Sequence, residues 1–93
     1  MENIMNLFRS KYKFKVTFGG GIDTKLRFTI MNYLDGIGAR CDEVFGFGSQ
    51  IQVSGESFKT NDEIGNGLRK TFTMIDVRKT KNGIFISNKD ETL

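Results

Sequence analysis

Histidine is absent from this sequence of 93 residues, and cysteine occurs once, as Cys41. Histidine is the commonest general base and metal ligand among the side chains, so its absence disfavours an enzyme. A single cysteine forms no internal disulfide and no zinc framework, which fits a reducing cytosol. We therefore predict no catalytic residues, cofactor or metal, and we interpret Cys41 as a buried thiol rather than a nucleophile.

Long apolar runs are absent as well. No stretch approaches the roughly 18 consecutive apolar residues of a membrane-spanning helix, and the opening residues MENIMNLFRS lack the apolar run of an export signal. We expect a cytoplasmic protein with no membrane partner. The length supports one domain with one core, and 38% hydrophobic residues suffice to build it. We predict a single domain over residues 1–93, with residues 89–93 as a frayed tail.

The clearest strand pattern is KYKFKVTF, residues 11–18, in which apolar and polar residues alternate strictly. One side carries Tyr12, Phe14, Val16 and Phe18, and the other carries Lys11, Lys13, Lys15 and Thr17. Lysines on one strand face repel each other, so the pattern costs stability unless solvent or an anionic partner screens the charges.

Two helices are predicted from their caps and from helical spacing. The first begins after the N-cap Asp23 and stops near Gly36 or Gly38, where glycine can take the left-handed conformation. The second begins with a capping box, Thr60–Glu63. It contains two glycines, each costing about 1 kcal/mol relative to alanine, so it is either weak or closely packed. These are Gly65 and Gly67.

Glycines also define two hairpins. The segment FGFG, residues 45–48, fits either one long strand or a turn at Gly46–Ser49 between strands of about 41–46 and 49–54. We favour the hairpin because two close glycines weaken a strand. Asn82-Gly83 is the preferred pair for a type I′ turn, here between the strands VRKTK and IFISN.

The order β-α-β-β-α-β-β predicts the α+β class: a two-layer sandwich with a ferredoxin-like β-α-β-β-α-β core and an additional C-terminal hairpin strand. In such a sandwich the helices cover one face of the sheet. The lysines of the first strand should then line the other face, joined by Gln50, Gln52 and Ser54 if the hairpin register holds.

The basic charge is concentrated in two segments. The chain has a net charge of +3, yet residues 9–15 contain four basic residues and no acid, and residues 69–81 contain five basic residues and one acid, Asp76. Such an uneven field suits an anionic partner. The candidate nucleic-acid-binding residues are Arg9, Lys11, Lys13, Lys15, Arg69, Lys70, Arg78, Lys79 and Lys81.

RNA is the preferred partner, because the predicted fold offers no recognition helix for the major groove of DNA. Three alternatives stay open. The lysines could simply keep a strand face soluble. The protein could be a protein-only inhibitor or interaction module that docks an acidic partner. It could also be a carboxylate-dependent nuclease with Asp23, Asp42 and Glu43 as metal ligands.

FGFG at residues 45–48 partly resembles the strand-three signature of RNA-recognition motifs, a basic residue followed by G-F-G-F-V-x-F. Here Val44 replaces the basic residue, Ser49 and Gln50 follow, and the glycines are interpreted as a turn. Base stacking is therefore not transferred to Phe45 and Phe47, and both are predicted to belong to the core.

The opening KYKFKVTFGGGIDTKLRFTIMNYLDGIGA, in a basic chain without Pro, Trp or His, resembles small RNA-binding counter-defence proteins of T4-like bacteriophages that inhibit RNA-dependent toxin–antitoxin systems. The resemblance implies a protein that holds a host endoribonuclease toxin in an inactive complex with RNA, in the host cytoplasm. RNA and the toxin or its ribonucleoprotein would be the partners. Whether two chains pair as a homodimer is left open by the sequence.

Overall fold

Five strands and two helices follow one another along residues 11–89, the part of the chain that the computed structural model describes. They are β1 (Tyr12–Phe18), α1 (Thr24–Gly36), β2 (Ala39–Phe47), β3 (Gln50–Ser57), α2 (Asn61–Thr71), β4 (Ile75–Lys79) and β5 (Ile84–Asn88). The predicted order of elements is confirmed. The site candidate Arg9 and residues 90–93 of the predicted tail lie outside the described residues. Neither helix of the described part is long and apolar enough to cross a membrane.

The described strands form a five-stranded sheet in the order β2-β3-β1-β5-β4. Neighbouring strands are antiparallel except β1 and β5, which run parallel. The predicted α+β class is confirmed, whereas the strand order of a ferredoxin-like core is not, because β5 rather than β4 lies beside β1. The additional strand of the C-terminal hairpin is thus inside the sheet, and β4 forms an edge.

Side-chain chemistry explains the inner position of β5. Ile84 and Ile86 are buried on one face, and Phe85 is partly buried on the other. A strand that is apolar on both faces is best placed inside a sheet. The neighbouring strand β4 ends with Arg78 and Lys79, both exposed, and charged residues are typical of edge strands.

β1 separates a covered face of the sheet from an uncovered one. Phe14, Val16 and Phe18 are buried and belong to one core. The same core contains the buried residues of both helices, which are Ile30, Leu34, Ile64 and Leu68. Because both helices pack on this face, no helix of the described residues covers the opposite side of β1, which carries Lys13 and Lys15. We call the side of the sheet that carries these two lysines the open face.

Both predicted ends of α1 are confirmed. Asp23 is the N-cap, and its Oδ1 accepts a hydrogen bond from the backbone N–H of Leu26 at 2.7 Å. The helix ends at Gly36. Gly38 follows with φ of +89°, a left-handed conformation that glycine adopts without a steric penalty.

The predicted capping box of α2 is confirmed as well. The backbone N–H of Glu63 donates to Thr60 Oγ1 at 3.2 Å, and the backbone N–H of Thr60 donates to Glu63 Oε1 at 2.9 Å. The second of these bonds favours the charged carboxylate, so it holds the pKa of Glu63 below its ordinary value.

The hairpin between β2 and β3 is confirmed, with longer strands than predicted and with its turn one residue later than Gly46–Ser49. It turns at Gly48 and Ser49, and Gly48 has φ of +62°. A glycine at the first central position with positive φ fits a type II′ turn. At the other end of the hairpin, pairing continues to Ala39 and Ser57.

The hairpin between β4 and β5 is also present, but the predicted type I′ turn at Asn82-Gly83 is wrong. That turn needs positive φ at both residues, and neither Asn82 nor Gly83 has it. A loop, Thr80–Gly83, connects the strands instead, closed by a bond from the Thr80 N–H to the Gly83 carbonyl oxygen at 2.8 Å. Glycine is needed at position 83 for close packing, because a Cβ there would clash with the carbonyl oxygen of Lys15.

The two glycines of α2 have different surroundings. A Cβ at Gly67 would lie 2.5 Å from the hydroxyl oxygen of Tyr33 in α1. Tyr33 itself packs edge-on against Phe72, with ring centroids 5.5 Å apart. A Cβ at Gly65 would meet Ile84 at 3.8 Å, an ordinary contact distance. The predicted close packing therefore applies to Gly67.

Replacing Gly65 or Gly67 by alanine tests whether the two positions differ in packing. Gly65→Ala should raise the free energy of unfolding by up to about 1 kcal/mol, because alanine is the better helix former. Gly67→Ala gains the same propensity but must displace the Tyr33 ring, so it should be less stable than Gly65→Ala. Urea unfolding followed by circular dichroism measures both. Tyr33→Phe removes the hydroxyl that the alanine would meet, so in that background Gly67→Ala should lose less stability relative to Gly65→Ala. Equal stabilities of Gly65→Ala and Gly67→Ala, with no effect of Tyr33→Phe on the difference, would contradict the prediction.

The capping box should make stability depend on pH. Because the folded-state pKa of Glu63 is lowered, its contribution is present above the unfolded-state pKa of about 4.3 and is lost as pH falls through the folded-state pKa. Unfolding of the wild type and of Glu63→Gln should be compared from pH 7 to pH 2.5. The wild type should lose its advantage below about pH 4, and a difference that stays constant over this range would disprove the linkage.

Candidate nucleic-acid interface

Lys13 and Lys15 project from the open face at the centre of the sheet. In the pairing of β1 with β3, Lys13 is opposite Glu56 and Lys15 is opposite Ser54. Neither lysine forms an ion pair with a residue in the range 11–89. The two positions are about 7 Å apart along the strand. Their charges are therefore available to an external anion.

Lys11 lies just before β1 and contacts an aromatic ring. Its Nζ is 5.7 Å from the ring centroid of Phe58, a distance at which cation and ring attract each other. A pocket of about 380 Å³ beside it is also lined by Arg40, Asp35 and Glu56. Asp42 also lines this pocket, so three carboxylates lie around Lys11 and partly compensate its charge.

The basic residues of the C-terminal hairpin lie on different sides. Arg78 Nε is 3.0 Å from Asp76 Oδ2 on an exposed part of β4. Lys79 is the next residue and points to the opposite side, where its Nζ is 2.8 Å from Asp62 Oδ1 of α2. Lys81 is exposed in the loop between β4 and β5.

Arg69 and Lys70 belong to the helix layer. Arg69 donates from Nε and Nη2 to the carbonyl oxygen of Val77 at 3.2 and 3.0 Å, and from Nη1 to Asn66 Oδ1 at 2.9 Å. Its guanidinium thus joins α2 to β4. Lys70 is exposed in the last turn of α2, where a cation interacts favourably with the helix dipole. The second basic segment therefore does not form one surface with the lysines of β1.

Phe45 is 57% exposed, so the prediction that it belongs to the core is wrong. The two-residue turn pairs Phe45 with Gln52, which puts the ring on the open face of the edge strand β2, where no described helix covers it. The sequence contains the information for the correct prediction. A two-residue turn at Gly48-Ser49 pairs Phe47 with Gln50 and therefore Phe45 with the polar residue Gln52. The same prediction for Phe47 concerns a side chain outside the described part of the structure.

The strand registers align one residue from each strand across the open face. In the order of the strands, this cross-sheet row consists of Phe45, Gln52, Thr17, Phe85 and Arg78. Phe85 packs against Gly19, where an added Cβ would lie 3.3 Å from the ring atom Cζ. The same registers confirm that Gln52 and Ser54 lie on the face of the β1 lysines.

Acidic residues occupy the other half of the open face. The register of β2 shifts between Cys41 and Glu43, which marks a β-bulge. Gly55 lies opposite, where a Cβ would clash with the carbonyl oxygen of Arg40. A groove of about 470 Å³ is lined by cations on β1 and by acids on β2 and β3, namely Lys13, Lys15, Asp42, Glu43 and Glu56. The face is therefore cationic along β1 and anionic toward β2.

The candidate catalytic groups are not assembled into one site. Cys41 is only partly buried, so the prediction of a buried thiol is wrong in part. Its partial burial, followed by the carboxylates of Asp35 and Asp42, raises the pKa of the thiol above its ordinary value. Asp23 caps α1, whereas Asp42 and Glu43 lie in β2. Within residues 11–89, no three Asp, Glu, Cys or His side chains are grouped so that they could hold a metal ion.

Comparison with known proteins gives no match to a protein-family model, to a curated protein or to a solved structure. No relative thus assigns a role to any residue of the open face.

The Cys41 thiol should react slowly with iodoacetamide at neutral pH, because burial and two nearby carboxylates keep it protonated. The labelling rate, followed by mass spectrometry, should be lower in the folded protein than in the urea-unfolded chain. It should rise only above the ordinary thiol pKa of about 8.5. Asp42→Asn removes one cause of the raised pKa and should label faster. Rapid labelling of the folded wild type at pH 7 would contradict this account.

Proposed function

We propose that the protein binds RNA through the open face of its sheet. The observation that carries the proposal is the pair Lys13 and Lys15, side by side on the central strand and without ion-pair partners in the described chain. Lysines that neutralise phosphates release counterions, and this release supplies most of the sequence-independent affinity for nucleic acids. A phosphate backbone would also relieve the repulsion between the two lysines.

RNA suits this face better than duplex DNA does. Both helices bury their apolar residues against the sheet, and Arg69, a basic residue of α2, is bonded to β4. The basic residues of the described helices are confined to the start of α1 and the last turn of α2, so neither helix carries a basic stripe along its length for the major groove. The open face combines cations with the polar side chains of Gln52 and Ser54, and sheet faces of this kind are used by small RNA-binding modules.

The resemblance of residues 11–39 to phage inhibitors of toxin–antitoxin systems suggests a biological role for this RNA binding. On this basis the protein is a counter-defence factor that holds a host ribonuclease toxin in an inactive RNA-containing complex, in the host cytoplasm. The open face would hold the RNA and leave the helix layer for the toxin. Digesting the RNA should then release the toxin from the complex.

An acidic protein partner is the alternative for the same cations. The observation that favours it is the edge strand β2, in which Val44 and Phe45 are both more than half exposed. An uncovered edge can pair with a strand of another chain, including a second copy of this protein. Such a partner would be bound without RNA.

Binding to a labelled, unstructured RNA oligonucleotide, measured by fluorescence anisotropy at three salt concentrations, tests the proposal. Lys13→Gln/Lys15→Gln should bind more weakly than the wild type at low salt. The slope of log affinity against log salt should fall by about 0.7 for each lost phosphate contact. Binding should persist in EDTA, which separates this function from a metal-dependent nuclease.

Lys25→Gln/Lys70→Gln is the matched control, because it removes the same charge from two exposed lysines of α1 and α2. It should bind RNA nearly as well as the wild type. If the control loses as much affinity as the β1 variant, the open face is not the binding site. If the wild type does not bind at low salt, the RNA proposal fails and the acidic partner is the next candidate.

A further inference from the structure

We infer that Phe45 and Phe85 form a stacking platform for the bases of single-stranded RNA, an inference that rests on the RNA-binding function proposed above. The two rings lie in one cross-sheet row on the open face. The row also contains Gln52 and Thr17 between the rings and Arg78 at its end. Aromatic side chains on which bases stack, beside a basic surface that binds the backbone, are the means by which proteins hold unpaired bases.

The exposure of the rings fits such a role. Phe45 is 57% exposed on an edge strand, so its ring can receive a base without any change in the fold. Phe85 is partly buried and packs against Gly19, which fixes its orientation. One ring is thus free at the edge of the sheet, and the other is held in its interior.

The distance between the rings sets the size of the ligand. Phe45 and Phe85 are three strand spacings apart, about 14 Å at roughly 4.8 Å per spacing. Four steps of a stacked nucleic-acid strand cover about the same length, at about 3.4 Å each. The platform therefore fits a short oligonucleotide rather than a single nucleotide. Between the rings, Gln52 and Thr17 can form hydrogen bonds with base edges.

Charged side chains of the open face determine where the sugar–phosphate backbone of the bound RNA lies. Lys15 is two residues from Thr17 on β1, on the same face, and can bind a phosphate between the two bases. Glu43 is two residues from Phe45 on β2 and repels phosphates. The β2 edge is therefore suited to a neutral base, while a backbone phosphate lies near Lys15 where the RNA crosses β1.

Single-stranded RNA is favoured over a duplex because bases in a duplex are already stacked and do not expose their faces. A protein partner fits the row less well. Gln52 and Thr17 separate the two rings, so an apolar protein surface laid across the row would leave these polar groups unsatisfied.

Phe45→Ala is the first test, with Phe28→Ala as its matched control. Phe28 is 55% exposed, close to the 57% of Phe45, but lies on α1 in the other layer. Phe45→Ala should weaken binding of an unstructured 12-nucleotide RNA by roughly 5- to 150-fold, the range found for single aromatic residues that stack on bases. Phe28→Ala should leave it unchanged. Thermal unfolding of both variants shows whether either one has lost its fold.

Tryptophan substitution gives an independent readout, because the chain contains no tryptophan. Phe45→Trp should keep the affinity of the wild type, and its fluorescence should be quenched when the single-stranded RNA binds. The emission of Phe28→Trp should not change. An RNA duplex of the same length should bind less tightly and should not quench Phe45→Trp.

The outcomes of these experiments distinguish failure of the stacking platform from failure of the RNA-binding face. If Phe45→Ala binds single-stranded RNA as well as the wild type while Lys13→Gln/Lys15→Gln does not, the platform is wrong and the RNA-binding face stands. Absence of quenching in an RNA-bound Phe45→Trp, or equal binding of duplex and single strand, also overturns the platform. If the wild type binds no RNA, both proposals fail.

Discussion

Hydrogen bonding of β1 on both sides, to β3 and to β5, is the constraint on which the other features depend. A strand in this position has no freedom of register, because a shift by one residue would exchange its two faces. Burial of Phe14, Val16 and Phe18 opposes that shift, with roughly 1.5–3 kcal/mol for each large apolar side chain. The lysines of β1 are therefore held on the open face by the core behind them. The core and the cationic side of the open face are thus contributed by the same seven-residue strand.

The features that were predicted correctly from the sequence are local ones. Strict alternation defines β1, and the caps at Asp23 and Thr60 need only residues within one helical turn. The features that were missed depend on contacts between distant parts of the chain. Asn82-Gly83 has the composition of a type I′ turn, but Gly83 is there because it packs against Lys15, a neighbour that no local pattern can identify. Phe45 is a different case, because the neighbouring turn at Gly48-Ser49 determines its face and only the edge position of β2 depends on distant contacts.

The candidate site was predictable only in part, for the same reason. Lys13 and Lys15 were placed correctly because strand periodicity determines the face on which each one lies. The basic residues of segment 69–81 were counted as one group, yet they are distributed between a helix, two sides of an edge strand and a loop. Summed charge along a sequence does not predict a surface unless the secondary structure presents the charges in one direction. The cross-sheet row could not be predicted at all, because it requires the registers of five strands.

The parallel pairing of β1 with β5 joins residues near the two ends of the described chain, with Val16 opposite Ile84. Contacts of such high sequence separation slow folding, because the intervening chain must be ordered before they form. On the ribosome, β1 can pair with β3 but acquires its second neighbour only after β5 has been synthesised. Until then one side of the central strand is unpaired and open to misassociation. The middle of the sheet is thus closed by β5, the strand of the described chain that is synthesised last.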